Sequence, residues 1–314
     1  MYAIRLALSS LLLACSVAHA YPDKPIKLTV PFPAGSQTDL VARLVAERLG
    51  AELKGTVVVE NKPGASGTIA AASVAKAAAD GYSLLMTSAA LQAMNYSLLK
   101  QMPYAAADFA PIGKVASTGM ALMVKADSPV KTVDDLVRRA KAQPGKLSAG
   151  YGSPGAQIAL AVLKHDAKME VLDVPYKGIP NAVTDMLGGQ IDFTFVDFGN
   201  AIAQSKGGNA RALGVTPHEG SRLMEGVPAL AATFPNYSIA SWYGVMAPAD
   251  TPKSVLATLD AALQKSMSGP EVAAKMASIG VEPALMNAAE FGPYIDREIQ
   301  SWAKMIEIAQ IPKQ

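Results

Sequence analysis

The chain has 314 residues, half of them hydrophobic and 17% charged, with a formal net charge of +2. That balance excludes a disordered chain and leaves room for one large domain or two medium ones. It contains no basic run that could form a nucleic-acid footprint, and 6% aromatic residues give little base-stacking surface, so no nucleic-acid partner is expected.

In chain order, the first element is a leader. Arg5 gives a short basic start, residues 6–14 are an apolar run, and Ala18-His19-Ala20 has the small-x-small form of a cleavage site. The run is too short to span a bilayer, so a signal peptide over 1–20, removed after Ala20, is expected. The competing reading is a lipobox, Leu12-Leu13-Ala14-Cys15, which Leu13 fits poorly. No later stretch has the roughly 20 uninterrupted apolar residues of a membrane helix, so the mature protein is expected to be soluble. It is also expected to be a monomer. Cleavage removes the only cysteine, Cys15, together with His19, and leaves His165 and His218 without metal-ligand spacing. The expectation is a protein with no disulfide, no metal and no cofactor.

Beyond the leader the chain alternates strand-like and helix-like segments. Residues 26–31 form an apolar run, and 38–53 carry apolar residues at helical spacing, through Leu40, Val41, Leu44, Val45 and Leu49. Strands are expected at 56–60 and 82–87, with an alanine-rich helix at 68–79 between them. A second series has strands at 147–150, 171–174, 191–196 and 210–216, with helices from Gly155 and over 179–187. Three C-terminal helices are expected at 254–267, 271–279 and 288–309. This order predicts α/β architecture with parallel sheets.

One internal correspondence stands out. Ala126-Asp127-Ser128-Pro129 and Ala249-Asp250-Thr251-Pro252 each follow an apolar run, at 120–124 and 242–247, and each reads as a capped helix start. Two equivalent units flanking the second series suggest the strands that pass between two lobes. Lobe one then spans 21–122 plus 246–314, lobe two spans 123–245, and a ligand cleft lies between them.

The turns after the strands carry the chemistry. Residues 30–39 leave a strand, turn at Pro33 to Gly35 and enter a helix at Thr38. A helix start beyond the carboxyl end of a strand offers unpaired N–H groups and a positive dipole end, which favours a carboxylate. Gly35 permits close approach, while Ser36 and Thr38 add hydroxyls; an ordinary capped βα loop explains the same residues. Asn61-Lys62-Pro63-Gly64-Ala65-Ser66-Gly67-Thr68 repeats the geometry and is no phosphate loop, since no Lys-Ser/Thr follows its glycines. Thr87 and Ser88 end the third strand on the same rim. In the second half, Ser153 opens a helix, Tyr176 and Lys177 end a strand, and Asp197 follows another. Ser153 fails as an esterase nucleophile because Tyr151 stands where the elbow needs glycine. No paired acid and base appears, so the site can hold an anion but has little means to transform it.

With these loops in place, the sequence resembles the receptor family of tripartite tricarboxylate transporters, the Bug family. The likeness rests on an ordered set of motifs: Tyr-Pro-Asp-Lys-Pro-Ile at 21–26, Pro-Phe-Pro-Ala-Gly at 31–35 with Thr38-Asp39, and Glu-Asn-Lys-Pro-Gly-Ala at 60–65. Asp-Gly-Tyr at 80–82, Val-Pro-Tyr-Lys-Gly at 174–178, Gly-Gln-Ile-Asp at 189–192 and Ala-Pro-x-x-Thr-Pro at 247–252 complete it. The resemblance implies a two-lobed periplasmic binding protein of the type II Venus-flytrap form, with two crossover strands and no enzymatic activity. It implies a small organic acid held by backbone amides, hydroxyls and bridging waters, and permease subunits of a tripartite tricarboxylate transporter as partners. Residue by residue it points to Phe32, Ala34, Gly35, Thr38 and Asp39, then Gly64 and Ala65, with Thr87, Ser88, Ser153 and Asp197 shaping selectivity. Family members usually have glycine where Ser36 and Ser66 stand, and the usual Gly-Ser-x-x-His-Leu after Gly155 is missing. Gln157 is a possible substitute there. Two rival readings are a ligand-capturing component serving a membrane sensor kinase and a secreted hydrolase using Ser153.

Overall fold

The computed structural model describes residues 21–313. The expected leader over 1–20, with Cys15 and His19, lies outside them.

Two sheets organise the chain. The first has the order β11-β4-β10-β3-β1-β2, from β1 (Ile26–Val30), β2 (Val57–Asn61), β3 (Ser83–Ser88), β4 (Phe109–Thr118), β10 (Ser241–Pro248) and β11 (Glu282–Asn287). The second has the order β7-β6-β8-β5-β9, from β5 (Met120–Lys125), β6 (Ser148–Tyr151), β7 (Leu172–Pro175), β8 (Phe193–Asp197) and β9 (Ala210–Val215). In each sheet three parallel strands are followed by an antiparallel newcomer: β10 pairs with β3 and β4, and β5 with β8 and β9. β5 and β10 are therefore equivalent, which gives the two Asp-Ser/Thr-Pro segments a structural basis: each follows the strand inserted into the other lobe's sheet.

The chain changes sheet at Gly119 and again before Ser241, a few residues earlier in each case than the expected boundaries at 122 and 245. The two passages lie together. Thr118 is paired with Ser241, and Thr216 accepts from the Met120 amide through its hydroxyl and from the Ile239 amide through its carbonyl, both at 2.9 Å.

Helices cover both sheets. α1 (Gln37–Leu53) buries Val41, Leu44, Val45 and Leu49 against the first sheet, and α9 (Ala288–Ile308) buries Phe291, Ile295, Trp302 and Ile306 on its other face. Trp242 and Trp302 both donate to the Glu298 carboxylate, which satisfies their buried N–H groups. The other helices of eight residues or more are α2 (Thr68–Ala75), α3 (Val133–Ala142), α4 (Pro154–Ala167), α5 (Ile179–Leu187), α6 (Phe198–Lys206), α7 (Lys253–Ser266) and α8 (Pro270–Ser278).

Two caps differ from expectation. Ser128 does not start a helix; its hydroxyl accepts from Val130, and α3 begins at Val133 under a Thr132–Asp135 capping box. The Thr251 hydroxyl donates to the Pro248 carbonyl, one residue outside the cap of α7. The helix expected over 68–79 ends at Ala75.

Several of the sequence motifs are scaffolding. Tyr21 donates to the Gly81 carbonyl at 2.7 Å, Tyr82 donates to Asp23 at 2.6 Å, and Lys24 pairs with Asp80 at 3.0 Å. The 21–26 and 80–82 motifs thus clasp the start of β1 to the start of β3. Asp192 of the 189–192 motif accepts from the Ser148 amide and hydroxyl, joining β6 to β8.

Candidate functional site

The loop between β1 and α1 is built from behind. Asp39, 1% exposed, accepts from the Gly35 amide and Arg43 on one oxygen and from Asn61 on the other, all at 2.9 Å. Asn61 also donates to the Phe32 carbonyl at 3.0 Å. Burial alone would push the Asp39 carboxyl up, but hydrogen bonds from Arg43, Gly35 and Asn61 outweigh it and hold the group below the usual carboxylate range. Ser36 caps α1 with extended backbone (φ −67°), its hydroxyl accepting from the Asp39 amide. Its position makes no demand for glycine, so serine there adds a cap at no conformational cost. The Gln37 and Thr38 amides, as first-turn donors, have no intrahelical acceptor.

The second loop has the opposite character. Gly64, Ala65, Ser66 and Gly67 all have positive φ, at 131°, 45°, 54° and 87°. Ser66 therefore occupies left-handed backbone that glycine would take more easily.

Between the sheets lies an inner chamber of about 190 Å³ that adjoins an outer one of about 550 Å³; Phe32, Pro33, Gly152 and Ser153 line both. The inner chamber receives the starts of four helices: Ser36 to Thr38 of α1, Ser153 and Gly155 of α4, Gly178 to Asn181 of α5, and Asp197 of α6. The outer chamber is lined by Gly64 to Gly67, Tyr176, Lys177 and Gln157. Gly152 makes this convergence possible, because a Cβ there would lie 2.2 Å from the Gly178 carbonyl carbon. Across the cleft floor, Gly280 meets Gly199 of α6 so closely that a Cβ on Gly280 would lie 2.1 Å from the Gly199 nitrogen. Gln37 fastens that approach by donating to the Ile279 and Gly280 carbonyls at 3.0 Å, and it accepts from the Tyr243 hydroxyl at 2.9 Å.

Of the residues singled out from sequence, Phe32, Ala34, Ser36, Thr38, Ser88 and Asp197 line the inner chamber. Gly64, Ala65, Ser66 and Tyr176 line the outer one, and Ser153 lines both. Gly35, Asp39 and Thr87 line neither; the first two brace the loop, and Thr87 is fully buried in β3. The Ser153 hydroxyl caps α4 by accepting from Ala156 at 3.2 Å. Tyr176 donates to Asp185 at 2.8 Å, and burial first, then Asp185, pushes its phenol up to about 12. Asp197 caps α6, accepting from the Asn200 amide and side chain at 2.9 and 2.8 Å, and burial pushes its carboxyl up. The sequence reading missed Gln37, Met94, Met120, Ile179, Asn181 and Tyr243, all on the inner wall.

Residues 41–311 match the model of the tripartite tricarboxylate transporter family receptor. The chain belongs to that family. BugT of Bordetella pertussis is 31% identical over 296 residues, covering 92% of this chain and 90% of that protein. Among solved structures, an adipate-bound R. palustris protein is 30% identical with a TM-score of 0.90, covering 94% of this chain and all of that one. The periplasmic binding protein BugD is 31% identical with a TM-score of 0.87, again covering 94% of this chain and all of that one. This receptor has the two-lobed periplasmic-binding-protein fold and is not an enzyme.

Proposed function

We propose that this receptor captures a small organic carboxylate in the periplasm and delivers it to the membrane permease of a tripartite tricarboxylate-type transporter. The observation that carries the reading is the convergence of four helix N-termini on one chamber whose lining, among the described residues, contains no Lys, Arg or His. Helix starts concentrate unpaired N–H groups and partial positive charge, so a carboxylate is the guest they favour. The Gln37, Thr38, Gly155 and Ile179 amides are the donors, with the hydroxyls of Ser36, Thr38, Ser88 and Ser153 beside them. Phe32, Gly64, Ala65, Ser66 and Tyr176 wall the outer approach, and Ala34 and Asp197 line the inner chamber. The adipate bound to a 30% identical relative supports the ligand class.

Lobe one, 21–119 with 241–313, closes on lobe two, 120–240, about the paired passages at Gly119 and before Ser241. The closed form brings the helix starts of both lobes onto the ligand and presents a surface to the permease. Export uses the leader over 1–20. Calorimetry of the purified receptor against mono-, di- and tricarboxylates, aromatic acids and amino acids tests the reading. Saturable binding of an acid, with no binding of its amide, is expected; a panel in which no acid binds refutes it.

A further inference from the structure

The inner chamber carries information about the charge of its guest. Among the described residues that line it, the only carboxyl side chain is that of Asp197, 6% exposed, and none is basic. The four helix starts supply roughly half a positive unit each, so after Asp197 is offset about one unit remains. Phe32, Met94, Met120, Ile179 and Pro180 make much of the remaining wall apolar. An independent sign that the space awaits a polar group is Ser88: it is 3% exposed, lines the chamber, and its hydroxyl has no hydrogen-bond partner. One acceptor there, such as a carboxylate oxygen, would satisfy it.

Resting on the carboxylate reading above, we propose that the inner chamber selects a monocarboxylate with an uncharged, largely apolar body, and that Asp197 rejects a second negative charge. A like charge beside a buried carboxylate is strongly disfavoured unless one of the two takes up a proton. Lys177, which lines the outer chamber, is exposed, so solvent screens it.

The test compares acids of equal carbon count, hexanoate with adipate and 4-methylbenzoate with terephthalate, by calorimetry on the native receptor and on Asp197→Asn. Asparagine keeps the cap of α6 while removing the charge. The native receptor is expected to prefer each monocarboxylate by about tenfold or more, and Asp197→Asn to narrow that ratio. A preference below tenfold overturns the proposal, as does a folded Asp197→Asn variant with an unchanged ratio. If the variant does not fold, the native ratio alone decides. If dicarboxylates bind as well as monocarboxylates, this proposal fails while the carboxylate reading stands; if no acid binds, both fall.

Discussion

Asp39→Asn offers a sharp test of how the first loop is held. The carboxylate accepts three hydrogen bonds, from Gly35, Arg43 and Asn61. An amide keeps one acceptor oxygen and turns an NH2 toward a donor, so either Asn61 or the Gly35 amide loses its acceptor. A buried donor left unpaired costs about 1–3 kcal/mol, and the lost charge weakens the bonds that survive. The Arg43 side chain is 54% exposed and adds little. The variant is expected to be about 2–4 kcal/mol less stable in urea unfolding at pH 7. Its carboxylate affinity is expected to fall as well, although residue 39 lines neither chamber. The sign with pH follows from the lowered carboxyl. A group depressed in the folded state contributes fully above its unfolded value of about 4 and loses that contribution as pH falls through the folded value. The stability gap between native protein and variant is therefore constant from about pH 5 to 7 and narrows below about pH 4. A gap under about 1 kcal/mol, or one that widens in acid, would refute the reasoning.

Two further variants probe the loops. Gly152→Ala places a methyl 2.2 Å from the Gly178 carbonyl carbon, so the start of α5 must move; binding is expected to weaken about tenfold or more, and calorimetry at native affinity would contradict this. Ser66→Gly removes left-handed strain of about 1–2 kcal/mol against an entropy cost of about 0.5–1, so the thermal midpoint should rise by about 1–3 °C. A fall in midpoint would show that the serine hydroxyl matters more than its backbone.

Much of the frame was legible because local signals and tertiary structure agree. The α1 helix, the parallel strands β1 to β3 and β6 to β8, and the loops opening on the cleft all follow from periodicity and turn chemistry. The Asp-Ser/Thr-Pro pair marks equivalent inserted strands, although Ser128 caps no helix. β4 was silent because Pro111, Gly113 and Lys114 interrupt its pattern, and its pairing with β10 needs two register shifts. β11 was equally silent, pairing irregularly with β4 across 283–286. Spacing could not separate Asp39, which braces the loop, from Thr38, which faces the chamber, since both share one helix turn. Gln37 and Tyr243 are joined by a bond across 206 positions, a contact that no local pattern announces. Asn181 and Ile179 directly follow the Tyr-Lys-Gly of 176–178, where a helix start could have been read.

The central measurement is a carboxylate titration followed by amide resonances in isotope-labelled receptor. If main-chain donors at the helix starts hold the acid, the Gln37, Thr38, Gly155 and Ile179 amide protons move downfield together and saturate with the calorimetric affinity. Saturation that leaves those four unmoved, while side-chain resonances elsewhere shift, would contradict the account.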